Sequence, residues 1–199
     1  MDRLKSGLAV LMAVTLLLAA TTSYACVGKT LVVGTTGTVQ QDLMAQMLSL
    51  LIAERTGTTV KVVEVASSKA AHDSLLKADL DMYVEYTGVG QVEILHKDAI
   101  ADADQLYKAV KATYNEELNL IWLKPFGFEA KEVAPAGAVA EAAPVVRKDT
   151  LKKFPALARL INKLGGRIDA TSIRDLESQA KDGDSKKVAR EFLRQNRLI

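Results

Sequence analysis

The chain has 199 residues, of which 49% are hydrophobic, and its formal net charge is +2 at pH 7. That length suffices for one domain with a sizeable core and is short for two. The near balance of charge lacks the basic surface of a nucleic-acid-binding protein, so we expect no nucleic-acid partner. Because Cys26 is the single cysteine, no disulfide can form within the chain.

The first residues have the pattern of a secretory signal. A charged start, MDRLK, precedes an apolar run from Gly7 to Ala20 and a small-residue cleavage site in TTSYAC. We therefore predict a signal peptide over residues 1–25 and a mature chain over 26–199, located in the periplasm or cell envelope. Two kinds of processing stay open: cleavage that releases a soluble protein beginning at Cys26, or acylation of Cys26 to form a lipid anchor.

Strands and helices alternate through the first half of the mature chain. A buried strand is predicted for KTLVVGTT, followed by a helix that begins with a capping box of Thr38 and Gln41 and ends at Gly57. Further strands are predicted for TVKVVEV, LDMYVEYTG and NLIWLKPFGF, and helices for SSKAAHDSLLKAD, QVEILHK and ADQLYKAVKATYNEEL. This alternation predicts an α/β fold with a mainly parallel sheet flanked by helices.

A stretch rich in Ala, Val, Pro and Gly, residues 128–144, separates this half from the rest. It has no helical or strand period, and Pro135, Gly137 and Pro144 interrupt it, so we predict a surface loop whose shortening costs little stability. After it, PVVRKDTL leads into a predicted helix, KKFPALARLINKL. Two amphipathic helices, TSIRDLESQAK and SKKVAREFLRQNRL, complete the chain.

The sequence contains no pattern typical of catalysis. His72 and His96 are far apart, so no metal-ligand spacing occurs, and GTTGTVQQ lacks the lysine of a phosphate-binding loop. There is also no nucleophile–base pair. We therefore expect neither an enzyme nor a bound metal or cofactor.

The turn after the first strand offers groups that could bind a ligand. Thr35, Thr36 and Thr38 place hydroxyls beside the free N–H groups of a helix N-terminus, at the carboxyl end of a strand, where α/β proteins usually bind ligands. The alternative is an ordinary helix start with Thr38 as its cap.

Aromatic residues elsewhere divide into one candidate and several structural residues. Tyr86 lies at the carboxyl tip of its strand, where it could close over a ligand, although ordinary packing is the alternative. Tyr83 and Trp122 are expected in the core, and His72 is expected beside the core contacts of its helix.

Several motifs, in this order, resemble one family: VGTTGTVQQDLMAQML, HDSLLKADLDMYVEYTG, LIWLKPFGF and AAPVVRKDTLKKFPALARLINKLGGRI. They are similar to the glycine betaine/choline (osmoprotectant) substrate-binding proteins of ABC importers. The resemblance implies a type II periplasmic-binding-protein fold, in which two lobes close on a solute and the second lobe is inserted into the first. Residues 128–144 stand where that second lobe belongs, so residues 26–199 would form a single lobe with a bridging loop.

The resemblance also implies a ligand site. The family holds a quaternary ammonium group in a box of aromatic rings by cation–π attraction. Tyr86 matches a first-lobe box tyrosine and Gln41 a polar contact, although Thr36 replaces a lysine, Val89 replaces a threonine, and the second-lobe tyrosines have no counterpart. The predicted ligand-binding residues are Tyr86, Gln41, Thr35, Thr36, Thr38 and Thr87.

Two functions are consistent with these features. The first is a substrate-binding component of an ABC importer for quaternary ammonium or zwitterionic osmoprotectants, whose partners are the solute and the ABC permease. A second copy of the chain, in a homodimer, or the permease itself could then supply the missing wall. The second is an exported interaction or sensor module that kept the lobe and lost solute binding.

Overall fold

The computed structural model describes residues 30–181 and 184–199. The predicted signal peptide and the predicted acylation site, Cys26, lie outside these ranges. The strands are β1 (Leu31–Thr35), β2 (Val60–Glu64), β3 (Met82–Tyr86), β4 (Leu120–Trp122) and β5 (Ala142–Arg147). The main helices are α1 (Val39–Thr56), α2 (Ser68–Leu76), α3 (Ala103–Glu117), α4 (Lys148–Lys153), α5 (Leu157–Ile161), α6 (Ala170–Lys181) and α7 (Ser185–Gln195).

The five strands form one mixed sheet in the order β2-β1-β3-β5-β4. Strand β1 pairs in parallel with β2 and β3, whereas β5 runs antiparallel to both β3 and β4. Four strands therefore point one way, and β5 brings the chain back between two of them. The predicted α/β class, a sheet flanked by helices, is confirmed, but the sheet is mixed rather than mainly parallel, since two of its four strand pairings are antiparallel.

Helices cover both faces of the sheet. On one face α1 is buried almost all round and packs against α7 and α6, with Leu43, Met47 and Leu51 fully buried. The other face forms a separate cluster with α3, in which Tyr114 and Trp122 meet edge to face at 5.3 Å between ring centroids. These two layers hold the carboxyl ends of β1 and β3 in fixed positions.

Strand β5 was missed by the sequence analysis, which assigned its residues to a loop and a helix entry. The Ala-Ala-Pro start of the strand is typical of a loop, yet Ala142, Ala143, Val145 and Val146 are completely buried between β3 and β4. Small side chains suit this position because the strand is covered on both faces. Burial between two neighbours therefore outweighs the weak local preference of these residues for a strand.

Pro144 is accommodated inside β5 by a substitute hydrogen bond. The Pro144 carbonyl accepts from the Leu123 N–H at 2.9 Å, but proline has no N–H to return to the Leu123 carbonyl. The Tyr107 hydroxyl donates to that carbonyl at 3.0 Å instead. A side chain from α3 thus replaces the backbone donor that the strand lacks.

Residues 128–144, called here the bridge segment, are not the structureless surface loop that the sequence predicts. Glu129 and Glu141 form an antiparallel bridge, Lys131–Val133 form a 3-10 turn, and β5 begins at Ala142. The side chains of Phe128, Ala130 and Ala140 are buried. The small alanine side chains and the bridge between Glu129 and Glu141 let the segment pack against the lobe, even though its sequence has no regular period.

Two helix predictions also need correction. The predicted helix over KKFPALARLINKL is interrupted between α4 and α5, because Pro155 cannot continue the hydrogen bonds of α4. The predicted helix QVEILHK is instead a π-helical turn, Gly90–Ile94, that continues a short helical turn, Thr87–Val89. None of the described helices is long and apolar enough to cross a membrane.

Candidate functional site

A cavity of about 610 Å³ lies at the carboxyl ends of β1 and β3. This edge of an α/β sheet is where ligands usually bind. Its walls come from the β1–α1 turn, the start of α2, the tip of β3 and the bridge segment. The residues that line it are Thr36, Thr38, Gln41, Ala66, Ser67, Ser68, Tyr86, Val89, Glu93, Glu132, Val133, Ala134 and Pro135.

Tyr86 is held rigidly in the cavity wall. Its side chain is only 5% exposed, and its hydroxyl donates to the Gln40 side-chain oxygen at 2.6 Å. The amide of Gln40 donates in turn to Glu177 at 2.8 Å, which anchors the chain of bonds to α6. Burial raises the pKa of the Tyr86 phenol well above its ordinary value, so it stays a neutral donor.

Gln41 lines the cavity, but its side-chain amide donates a hydrogen bond to the interior of the lobe. Its amide nitrogen donates to the Val84 carbonyl at 3.2 Å, while its backbone N–H donates to the Thr38 hydroxyl at 3.2 Å. Thr38 is therefore the N-cap of α1, as predicted. The reciprocal half of the predicted capping box does not form, because the Gln41 side chain turns toward β3.

The six predicted ligand-binding residues divide into two groups. Thr36, Thr38, Gln41 and Tyr86 line one cavity. Thr35 and Thr87 are buried and do not line it: the Thr35 hydroxyl accepts from the Gly37 N–H at 3.3 Å.

Thr87 instead ties the tip of β3 to the bridge segment. Its hydroxyl accepts from the Glu141 N–H at 3.1 Å and donates to the Val139 carbonyl at 3.4 Å, and its own N–H donates to the Glu141 carbonyl at 3.0 Å. Gly88 allows this close approach, since a Cβ there would lie 2.4 Å from the Val139 carbonyl oxygen. The bridge segment is thus fixed where it forms one wall of the cavity.

Glu85 is a feature of the site that the sequence analysis missed. Its carboxyl group is completely buried and accepts hydrogen bonds from the Tyr86 N–H at 2.8 Å, the Tyr83 hydroxyl at 3.2 Å and the Ser68 hydroxyl at 3.3 Å. Burial raises its pKa from 4.5 to about 7. A lone acid within the otherwise apolar and aromatic strand MYVEY was the available signal.

The residues predicted to be structural are in the core. Trp122 and Tyr83 are buried, and His72 packs edge to face on Tyr114 at 5.5 Å between ring centroids. Burial lowers the pKa of His72, which favours the neutral imidazole. Within residues 30–181 and 184–199, no group of three or more His, Cys, Asp or Glu is placed to hold a metal ion.

The fold defines a class of protein: a lobe of the type II periplasmic-binding-protein fold, here with a cleft at the strand ends. The sequence identifies the family. The chain belongs to the OpuAC family, the substrate binding domain of the ABC-type glycine betaine transport system, whose profile matches residues 29–135 and 133–195. The two matched segments meet inside the bridge segment. This family consists of solute-binding domains rather than enzymes.

Curated relatives match only part of the chain. It is 29% identical over 127 residues to the carnitine transport binding protein OpuCC of Listeria monocytogenes, covering 63% of this chain and 38% of that protein. It is 30% identical over 101 residues to the ergothioneine transport permease/ergothioneine binding protein EgtU of Helicobacter pylori, covering 50% of this chain and 18% of that protein. The match thus spans less than two-fifths of the length of either relative.

Solved structures support the fold. The crystal structure of a glycine betaine/carnitine/choline ABC transporter superposes with a TM-score of 0.79 and 17% identity, covering 85% of this chain and 98% of that chain. Apo YehZ from Escherichia coli superposes with a TM-score of 0.72 and 18% identity, covering 86% of this chain and all of that chain. At these identities the likeness concerns the fold alone.

Proposed function

We propose that this chain binds a small quaternary ammonium solute of the glycine betaine or choline type and passes it to an ABC permease. The observation that carries this proposal is the rigidly held Tyr86 at the wall of a cavity that Thr36, Thr38 and Gln41 also line. An aromatic ring attracts an ammonium group by cation–π interaction, and hydroxyls can hold the solute's polar end. Family membership supports the same class of solute.

The proposed setting is the cell envelope. The signal-like residues 1–25 support export to the periplasm, with a lipid anchor at Cys26 as the alternative form of processing.

We further propose that the bridge segment replaces the second lobe of the family. Three observations support this: the segment joins β4 directly to β5, the matched segments of the family profile meet within it, and the curated relatives are far longer. The solute would then meet one lobe and a short wall formed by residues 132–135. A second copy of the chain or the permease would cover its open side.

A half-covered site limits affinity. One tyrosine contributes roughly 0.5 to 2 kcal/mol to the binding of a cation, whereas micromolar affinity requires about 8 kcal/mol. We therefore expect the isolated monomer to bind choline or glycine betaine no more tightly than about millimolar, which corresponds to roughly 4 kcal/mol.

NMR titration of the purified protein with choline and glycine betaine tests this function. Tyr86→Ala should weaken binding several-fold, because the cation–π attraction of the ring is lost, whereas Tyr86→Phe should keep most of the affinity, because the ring remains. Tyr107→Phe, which removes a hydroxyl away from the cavity, is the matched control and should bind like wild type. Binding unchanged in Tyr86→Ala would remove the site, and micromolar binding by the monomer would remove the missing-wall argument. Complete absence of binding would favour the interaction or sensor module.

A further inference from the structure

Glu85 is a buried acid without a cationic partner in the described chain. Its carboxyl group is completely buried, and no lysine, arginine or histidine of residues 30–181 and 184–199 lies within salt-bridge distance. Its three hydrogen bonds come from neutral donors. An uncompensated buried carboxylate is costly, so such a group invites either a proton or a positive charge from outside the chain.

The carboxyl group of Glu85 lies directly behind the cavity wall. One oxygen accepts from the Tyr86 N–H at 2.8 Å and from the Ser68 hydroxyl at 3.3 Å. Tyr86 and Ser68 both line the cavity. Ser68, whose hydroxyl bonds this oxygen, therefore links Glu85 to the cavity, whereas the ring of Tyr86, the next residue along the strand, points to the opposite face of the sheet.

We propose that Glu85 is the internal counter-charge for the solute's ammonium group and gives up its proton to the solvent when a cationic solute binds. This inference rests on the proposed function and adds a specificity-determining residue to it. The ammonium group would be attracted by the ring of Tyr86 on one face of the sheet and by the newly ionised carboxylate beneath Ser68 on the other.

The groups that face Glu85 carry no positive charge, so Glu85 tends to keep its proton until a cationic solute binds. Tyr83 on the same strand, Tyr114 from α3 and Glu93 from the π-helical turn are neutral or acidic, so none of them can neutralise a carboxylate. His72 from α2 contacts Tyr114, and burial keeps it in its neutral form. With a pKa raised to about 7 by burial, Glu85 holds its proton for a large fraction of the time near neutral pH. A bound cation lowers that pKa, because it stabilises the charged form.

The difference between the pKa of Glu85 in the free protein and in the complex decides how choline affinity changes with pH. Because the complex holds the proton less tightly than the free protein, choline affinity rises with pH up to about pH 7 and is level above it. If bound choline lowers the pKa of Glu85 by about one, the choline affinity above about pH 7 exceeds the affinity at acid pH by about tenfold. The neutral isostere 3,3-dimethylbutan-1-ol should bind equally at all these pH values.

The test is an NMR titration of the full protein with choline between pH 5.5 and 8.5. Wild type should bind choline about tenfold more tightly at the upper end, and Glu85→Gln should lose this pH dependence. Glu132→Gln removes an exposed acid of the cavity wall that does not act on the pKa of Glu85, and this matched control should keep the pH dependence even where it weakens binding. The carboxyl ¹³C signal of Glu85 in wild type gives a readout that needs no variant: its pKa should fall on saturation with choline.

Each outcome separates the two proposals. Choline binding that is independent of pH, or a Glu85 carboxyl signal that titrates identically with and without choline, overturns the role of Glu85 and leaves the proposed function intact. The same pH dependence for the neutral isostere also overturns it, because no positive charge would then be involved. If wild type binds choline at no pH, the proposed function and this inference both fall.

Discussion

At the scale of single residues, Glu85 should make the stability of the fold depend on pH. Its pKa is raised from 4.5 to about 7 by burial, so the folded chain holds this proton more tightly than the unfolded chain does. The stabilisation that the fold gains from the protonated Glu85 is therefore fully present below about pH 4.5. It is lost as the pH rises through about 7, by roughly 3 kcal/mol in total.

Urea denaturation of wild type and Glu85→Gln at pH 5 and pH 8 checks this expectation. The difference in unfolding free energy between the two proteins should shift in favour of the variant at pH 8. Comparing the difference, rather than wild type alone, removes the opposite contribution of His72, whose lowered pKa costs stability at acid pH. A difference that stays constant from pH 5 to pH 8 would contradict the buried proton.

A second prediction at this scale concerns Pro144 and its substitute donor. Tyr107→Phe leaves the Leu123 carbonyl without the hydroxyl that now serves it, which should cost about 1 kcal/mol of unfolding free energy. In a Pro144→Ala background the alanine has an N–H that can donate to the same carbonyl, so Tyr107→Phe should cost close to nothing. A double-mutant cycle by urea denaturation measures this coupling. Equal costs in both backgrounds would show that the hydroxyl does not replace the missing donor.

The different roles of the neighbouring residues Gln40 and Gln41 could not be predicted from the sequence. Strand position indicated Tyr86 and the family resemblance indicated Gln41, and both line the cavity, but Gln40 rather than Gln41 receives the Tyr86 hydroxyl. Both glutamines are buried in the first turn of α1. Which of them faces β3 and which faces α6 depends on the rotation of the helix against the sheet, and the local sequence does not encode that rotation.

At the scale of elements, the bridge segment is a packed part of the lobe. Thr87→Val should destabilise the protein by about 1 to 3 kcal/mol, because the Glu141 N–H and the Val139 carbonyl each lose a buried partner. Thr87→Ser keeps the hydroxyl and should cost only about 0.8 kcal/mol for the lost methyl group. Thermal or urea denaturation of both variants distinguishes these values. Equal losses would mean that the hydroxyl is unimportant and that the segment is as loosely held as its sequence suggests.

Prediction from sequence succeeded for elements whose signals are local. Strands β1 and β3 are apolar runs that end in turn residues, and α1 has a cap at Thr38 and a glycine stop at Gly57, so each was located correctly. Strand β5 failed because its stability depends on neighbours that are distant in the sequence. Its partners lie more than 50 residues away in β3, and its proline is compensated by a side chain from α3.

At the scale of the whole molecule, the sheet order that brings β5 between β3 and β4 also places two distant segments around one cavity. The tip of β3 and the bridge segment meet only because β5 returns antiparallel beside β3. The strand-end location of the cleft follows from the α/β class and was predictable. The wall formed by residues 132–135 was not, because it depends on how the chain folds back between β4 and β5.

The charge around this cavity should favour a cation over a zwitterion. Its described lining contains Glu93 and Glu132 but no lysine or arginine, and Glu177 lies behind Tyr86, to which it is linked through Gln40. These acids attract an ammonium group and repel a carboxylate, so choline should bind a few-fold more tightly than glycine betaine at low salt. Because Glu93 and Glu132 are exposed, the preference should shrink as salt screens them over about 10 Å or less. Competition titrations at 20 and 500 mM NaCl measure it, with Glu132→Gln expected to weaken choline more than glycine betaine. Tighter binding of glycine betaine at low salt would mean that an unrecognised donor in the cavity holds its carboxylate.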